Sequence, residues 1–167
     1  SSVSISVKSN INESIYKKKI KIFGQHVNDP IYKKLFVGIK KPRLPFLSKN
    51  IHLAKKMCNH INENKLKAPI IEVHNRPYLV KLINKKVKNA KVILFFHNDP
   101  KEMRGAKHYK ERLYLINNCS AICFVSKYIK NQFLSEINQH PKNLYVMYNG
   151  INKVNKDYVR KEKNIIF

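Results

Sequence analysis

The chain has 167 residues, of which 43% are hydrophobic, and this excludes a disordered chain and predicts one globular domain with its own core. Its net charge of +24 would suit a protein that binds nucleic acid. Only five of the 34 basic residues are Arg, however, and Lys lacks the planar guanidinium that binds phosphate with two hydrogen bonds, so a partner other than nucleic acid is expected. Three cysteines without a CxxC pair favour a reducing cytoplasm over a disulfide framework, and no apolar run reaches the roughly 18 residues of a membrane span.

The first 50 residues predict two strands and a long loop. Val3, Ile5 and Val7 alternate with polar residues, which is the period of a half-buried strand. A weaker signal of the same kind follows around Ile22. The region after it, as far as residue 47, holds three prolines and no clear period, so it is expected to be loop.

From Ser48 onward the pattern becomes regular. Ser48 is a predicted N-cap, and a stripe at helical spacing follows it, formed by Ile51, Ala54, Cys58 and Ile61. Four short apolar runs come next and are predicted strands, at 69–73, 91–96, 121–125 and 144–147. Because a helix follows each of the first three, the sequence predicts an α/β fold: a Rossmann-like open parallel sheet with helices on both faces.

Each helix that follows a strand has one predicted buried face. The residues of these faces are Leu79, Leu82 and Ile83 in the first helix, Tyr109, Leu113 and Ile116 in the second, and Ile129, Phe133 and Ile137 in the third. Ser126 is the predicted N-cap of the third helix, and Asn75 or Arg76 that of the first.

Polar residues stand at the end of each predicted strand. They are His74, His97, Ser126 and Asn149. In an open parallel sheet, ligands bind outside the carboxyl ends of the strands, where the following loops and helix N-termini converge. These residues are therefore expected to line one side of a cleft.

Two of these strand ends carry groups that handle protons or bind oxygen atoms. His97 with Asn98 and Asp99 suits proton acceptance or a hydrogen bond to a sugar or phosphate oxygen, and the alternative is a turn that only bonds the backbone. His74 with Arg76 offers the same choice, with Arg76 as a phosphate contact or as a solvated cation. The residues alone leave both alternatives open.

Other common chemistries find little support in the sequence. A metal site would require His74, His97 and Asp99 to converge at ligand spacing. A serine hydrolase would need Ser126 on a GxSxG elbow, and the surrounding "FVSKY" lacks both glycines. Neither GxGxxG nor a P-loop occurs. We therefore expect no metal and no resident cofactor.

The order of these segments resembles a known family. The matching landmarks, in chain order, are "IIEVHNRP", "VILFFHND", "AICFVSKYIKNQF", "LYVMYNGIN" and, after a charged linker, "NIIF". From about Ile51 onward the chain resembles the N-terminal domain of GT-B-fold glycosyltransferases of family 4, a retaining group that includes lipopolysaccharide-core and cell-envelope sugar transferases. This resemblance implies transfer from a nucleotide-diphosphate sugar to a glycan or lipid-linked acceptor, in a cleft between two Rossmann-like domains.

The resemblance also implies roles for individual residues. His97 would face the transferred sugar as the main catalytic residue, with Asp99 beside it. The implied substrate-binding residues are His74 and Arg76 on the acceptor side, Asn98 next to the catalytic pair, and Ser126, Asn149 and Gly150 at the cleft edge and hinge.

The resemblance further implies a division of the chain. Residues 1–152 would form the acceptor-side domain, without the family's first strand and glycine-rich loop, and 153–167 would be a linker and the start of a truncated C-terminal domain. Such a fragment is expected to be inactive alone, because the residues that hold the departing diphosphate belong to the C-terminal domain. The expected location is the cytoplasm, with peripheral contact at the inner face of an anionic plasma membrane.

Two further hypotheses remain open on the sequence alone. A basic α/β module could bind nucleic acid or an anionic surface without catalysis, through clusters such as 17–19 and 40–41. Steeply salt-dependent binding to nucleic acid would distinguish that module from a transferase. An isomerase of nucleotide-sugars on a similar scaffold is the other hypothesis.

Overall fold

A computed structural model describes residues 2–30, 32–44, 46–139 and 141–149. The helices in these ranges are α1 (Ser2–Glu13), α2 (Lys49–Glu63), α3 (Val80–Lys86), α4 (Tyr109–Asn118) and α5 (Lys127–Leu134). The strands are β1 (Ile22–Gln25), β2 (Phe36–Ile39), β3 (Ile70–His74), β4 (Lys91–Phe96), β5 (Ala121–Phe124) and β6 (Leu144–Val146). Short 3₁₀ helices at Lys17–Lys19, Pro77–Leu79 and Pro100–Glu102 join them.

The central element is a four-stranded parallel sheet with the order β3-β4-β5-β6. Its register pairs Val73 with Leu94, Leu94 with Ile122, and Ile122 with Leu144. This arrangement confirms the predicted α/β class, with a parallel sheet flanked by helices. Since all four strands run in one direction, their carboxyl ends lie at one edge of the sheet.

One face of this sheet carries the main hydrophobic core. Alternate strand residues such as Val92, Leu94 and Phe96 are almost completely buried there, because successive side chains of a strand point to opposite faces. Phe96 stacks on Phe124 at 5.6 Å between ring centres, and Phe133 of α5 packs at 5.4 Å from Phe96. Helix α2 adds its apolar stripe to the same core, as its spacing predicted.

The N-terminal region differs from the sequence prediction at two points. The strand predicted from Val3, Ile5 and Val7 is wrong, because these residues lie in helix α1. A helix satisfies its own backbone hydrogen bonds, whereas a strand needs a neighbour, and among the described strands β1 pairs with β2 instead. The region expected to be loop contains strand β2, which is parallel to β1.

Helix α4 buries part of its predicted face and one residue that was not predicted. Ile116 is buried and Leu113 packs against the core, as expected, but Tyr109 is 43% exposed. Arg112 is completely buried beside Leu115. The Arg112 guanidinium donates hydrogen bonds to oxygens of the loop before α4 and of the segment just after α5. These bonds compensate for the burial of its charge. The acceptors are the carbonyls of Ala106 (3.2 Å), Lys107 (2.6 Å) and Ser135 (2.9 Å) and the Glu136 carboxylate (2.8 Å).

The loop after β4 packs against the segment that follows β3. Gly105 adopts a φ of +87°, and a Cβ atom there would lie 2.6 Å from the backbone nitrogen of Tyr78, so only glycine fits. The Arg104 guanidinium lies 5.3 Å from the centre of the Tyr78 ring. These contacts hold together the two segments that leave the same edge of the sheet.

Two of the sequence predictions fall outside the described residues. They are the position of Gly150 and the linker with the start of a truncated domain at 153–167, which includes "NIIF". Within the ranges that the structure does describe, none of the helices combines the length and the apolar character needed to cross a membrane.

Candidate functional site

Two histidines meet at the carboxyl edge of the sheet. His74 is the last residue of β3, and His97 follows the last residue of β4. Nδ1 of His74 lies 3.0 Å from Nε2 of His97, which is hydrogen-bond distance. The parallel register produces this contact, because it pairs His74 with Phe95 and the side chain of His97 returns to the same face two residues later. Two of the four polar residues at the predicted strand ends are thus in direct contact.

Asn75 fastens the two strand ends to each other. Its side-chain oxygen accepts from the backbone N–H of His97 at 2.8 Å, and its amide nitrogen donates to the Asn98 side chain at 2.9 Å. Its backbone N–H also donates to the carbonyl of Phe95. Asn75 has a φ of +50°, a left-handed conformation that asparagine tolerates better than most residues. The sequence pattern indicates only a candidate helix cap at Asn75 and gives no sign of this bridging role.

The surroundings of His97 favour its neutral form. Burial of the ring, followed by repulsion from His74, lowers the pKa of His97 from the usual value of 6.5. His74 stacks on Phe95 with 4.7 Å between ring centres, which covers one side of the pair with an apolar ring. Nδ1 of His97 is shielded from solvent and has no hydrogen-bond partner among the described residues. His97 is therefore a neutral imidazole at pH 7 with one uncommitted nitrogen.

Glu72 extends the histidine pair in the other direction. Its Oε2 lies 3.5 Å from Nε2 of His74, and about half of the Glu72 side chain is exposed (51%). Glu72 is not among the site residues predicted from the sequence. The available signal was its position two residues before His74, which places both side chains on the same face of β3.

The remaining residues near His97 make contacts that stabilise local structure. Asp99 accepts from the backbone N–H of Lys101 at 2.9 Å and caps the 3₁₀ helix Pro100–Glu102, which is the turn that the sequence left open as an alternative. Arg76 is exposed and donates to the carbonyl of Asn75 at 2.8 Å. The structure therefore groups His74 and Asn98 with His97, while Asp99 and Arg76 direct their observed bonds to backbone atoms.

Ser126 and Asn149 mark the ends of the other two strands. The Ser126 hydroxyl accepts from the backbone N–H of Ile129 at 3.2 Å, which confirms Ser126 as the N-cap of α5. Asn149 is exposed just beyond β6. Both residues follow strands of the same parallel sheet, so they lie at the edge that carries the histidine pair.

The substitution Ser126→Ala should lower the free energy of unfolding by about 1 kcal/mol, since it removes the acceptor for the Ile129 N–H. Urea denaturation followed by circular dichroism measures this change. The matched control is Ser120→Ala, because Ser120 is exposed and precedes a strand. Equal stability of the two variants would contradict the capping role.

Metal and thiol chemistry have no support in the described part of the chain. No group of three His, Cys, Asp or Glu residues in these ranges is placed to hold a metal ion. Burial raises the pKa of Cys119 to about 12, and burial together with the charge of Glu72 raises that of Cys123 to about 11. Both groups are therefore protonated thiols at neutral pH, and neither is an activated nucleophile.

Comparison with known proteins gives one family. A family model described as Glycosyltransferase Family 4 matches residues 19–154, which is most of the chain. The matched range contains the whole four-stranded sheet, with His74 and His97 at its carboxyl edge. No curated protein matches the chain significantly.

Proposed function

Because this chain belongs to glycosyltransferase family 4, we propose that it is the acceptor-side domain of a retaining transferase that uses a nucleotide-diphosphate sugar. Membership of the family makes it a glycosyltransferase domain. The proposed acceptor is a hydroxyl group of a cell-envelope glycan or of a lipid-linked sugar. Residues 1–152 form the proposed acceptor-side domain, and 153–167 lead into the proposed donor-binding domain.

The observation that carries this proposal is the histidine pair at the carboxyl edge of the sheet. Open parallel sheets bind ligands at that edge, and His97 places there a partly exposed, neutral ring that is held in place by its contact with His74. Sugars offer hydroxyl groups that both donate and accept hydrogen bonds. His97 is thus suited to bind a sugar hydroxyl and to orient it for transfer, with Asn98 beside it.

The donor diphosphate needs a second set of residues. The departing diphosphate develops negative charge, and its stabilisation is the main electrostatic task of the reaction. We assign that task to the donor-binding domain and propose that no metal ion takes part. The complete transferase, meaning this chain with its donor-binding domain, is then required for turnover.

Positive charge near the site suits an anionic acceptor. The segment after His97 contains Lys101 and Arg104, and the Arg104 guanidinium lies over the Tyr78 ring. Arg76 lies exposed at the end of β3. These cations would attract phosphate groups of a lipid-linked acceptor, and we propose that the protein works in the cytoplasm at the inner face of the membrane.

A titration of this chain with candidate acceptors tests the proposal. The imidazole NMR signals of His97 should shift when an acceptor saccharide is added, whereas those of the exposed His26 should not. A parallel titration uses duplex and single-stranded nucleic acid at several salt concentrations. Tight, steeply salt-dependent binding to nucleic acid, with no response of His97 to any saccharide, would instead support the basic module.

A further inference from the structure

Glu72, His74 and His97 form a continuous row of polar groups that ends at an uncommitted nitrogen. The row runs from Oε2 of Glu72 to Nε2 of His74 (3.5 Å), and from Nδ1 of His74 to Nε2 of His97 (3.0 Å). We propose that Glu72 acts through His74 as a positioning residue, which keeps His97 in the Nε2–H tautomer with Nδ1 as a hydrogen-bond acceptor. The contact of His97 with a sugar rests on the proposed function, but the tautomer does not.

The charge of Glu72 determines where the protons of the row lie. An ionised carboxylate only accepts hydrogen bonds, so Glu72 favours a proton on Nε2 of His74. A neutral imidazole carries one proton, and Nδ1 of His74 is then an acceptor. In the proposed arrangement, Nε2 of His97, which lies 3.0 Å away, carries the proton that is donated to Nδ1 of His74. The second nitrogen of His97 is left without a proton.

The neighbouring groups do not disturb this assignment. Phe95 stacks on His74 and carries no charge. Cys123, which pairs with Phe95 in the sheet, is a neutral thiol, because its pKa is raised to about 11. Asn75 engages the backbone N–H of His97 and leaves the ring nitrogens to the row. Glu72 is therefore the negative charge that orients the pair.

The test compares two substitutions of Glu72 by ¹⁵N NMR of the histidine rings at neutral pH. Glu72→Gln removes the charge and keeps the size of the side chain, whereas Glu72→Val removes both the charge and the polar group at a strand position where valine is well tolerated. In the parent chain, Nδ1 of His97 should show the downfield shift of an unprotonated nitrogen. In both variants, the two ring nitrogens of His97 should move toward averaged shifts of mixed tautomers.

Two results would overturn the inference: a protonated Nδ1 of His97 in the parent chain, or a Glu72→Val spectrum that is identical to that of the parent. Unchanged thermal unfolding of both variants shows that the fold is intact. The measurement needs no substrate, so it separates this inference from the proposed function. If the tautomer is as expected but His97 ignores every acceptor saccharide, the row stands and the acceptor-side role fails.

Discussion

Replacement of His97 by alanine should lower kcat/KM of the complete transferase by about 100-fold or more, with little change in folding. The reason is that His97 lies at the carboxyl edge of the sheet as the proposed contact of a sugar hydroxyl, and the hydroxyl would lose this contact. Release of the nucleoside diphosphate in the presence of acceptor measures the rate. His26→Ala is the matched control, since His26 is an exposed histidine beyond β1.

The dependence of the rate on pH gives a second measurement on the same residue. The pKa of His97 is lower than 6.5, so the neutral form that accepts a hydroxyl proton predominates at pH 7. The rate should stay level as the pH falls toward 6.5 and decline only below it. A rate that rises as the pH falls through this range, or full activity of His97→Ala, would contradict the assignment.

The lowered pKa of His97 also makes the stability of the fold depend on pH. Because the folded state binds this proton less readily than the unfolded state, the contribution of His97 to stability is complete above about pH 6.5. It is lost progressively as the pH falls below that value. The loss should be absent in His97→Ala, which provides the comparison.

Replacement of Arg112 by alanine should lower the free energy of unfolding by about 3–5 kcal/mol. Arg112 is completely buried and satisfies the carbonyls of Ala106, Lys107 and Ser135, and its loss leaves these acceptors unpaired beside a cavity. Denaturation in urea, monitored at equilibrium, measures the change. Arg112→Lys should recover only part of it, because a compact ammonium cannot reach all the acceptors.

A matched control for this prediction is Arg104→Ala. Arg104 is exposed and lies over the Tyr78 ring, so its removal should cost less than about 1 kcal/mol. If Arg112→Ala is no more destabilised than Arg104→Ala, the buried guanidinium does not join the loop before α4 to the end of α5.

Features that depend on neighbouring residues in the sequence could be predicted. Ser48 and Ser126 cap their helices as expected, and the stripe of α2 is buried, because caps and helical spacing are local properties. The order of the apolar runs also predicted the parallel sheet, and the resemblance of the quoted segments predicted the family. The direction of the strands predicted that His74 and His97 lie at the same edge of the sheet, and the register of β3 and β4 brings them into contact.

Features that depend on distant residues could not be predicted. The burial of Arg112 requires the carbonyl of Ser135, which is 23 residues away in the chain. Alternation at Val3, Ile5 and Val7 suggested a strand, but a strand forms only where another strand is available to pair with it. Glu72 was missed although its spacing from His74 is local, because the interest of that contact depends on the approach of His97 from the neighbouring strand.

The register of β3 and β4 also restricts how this part of the gene can change in length. His74 pairs with Phe95 in the sheet, and His97 lies two residues after Phe95, so the side chains of His74 and His97 share a face. A single codon inserted or deleted within β4 would turn the side chain of His97 to the opposite face of the sheet, which carries the hydrophobic core around Phe96, and would separate it from His74. Length variation among homologous genes should therefore be confined to the segments outside the strands, such as the loop between 103 and 108.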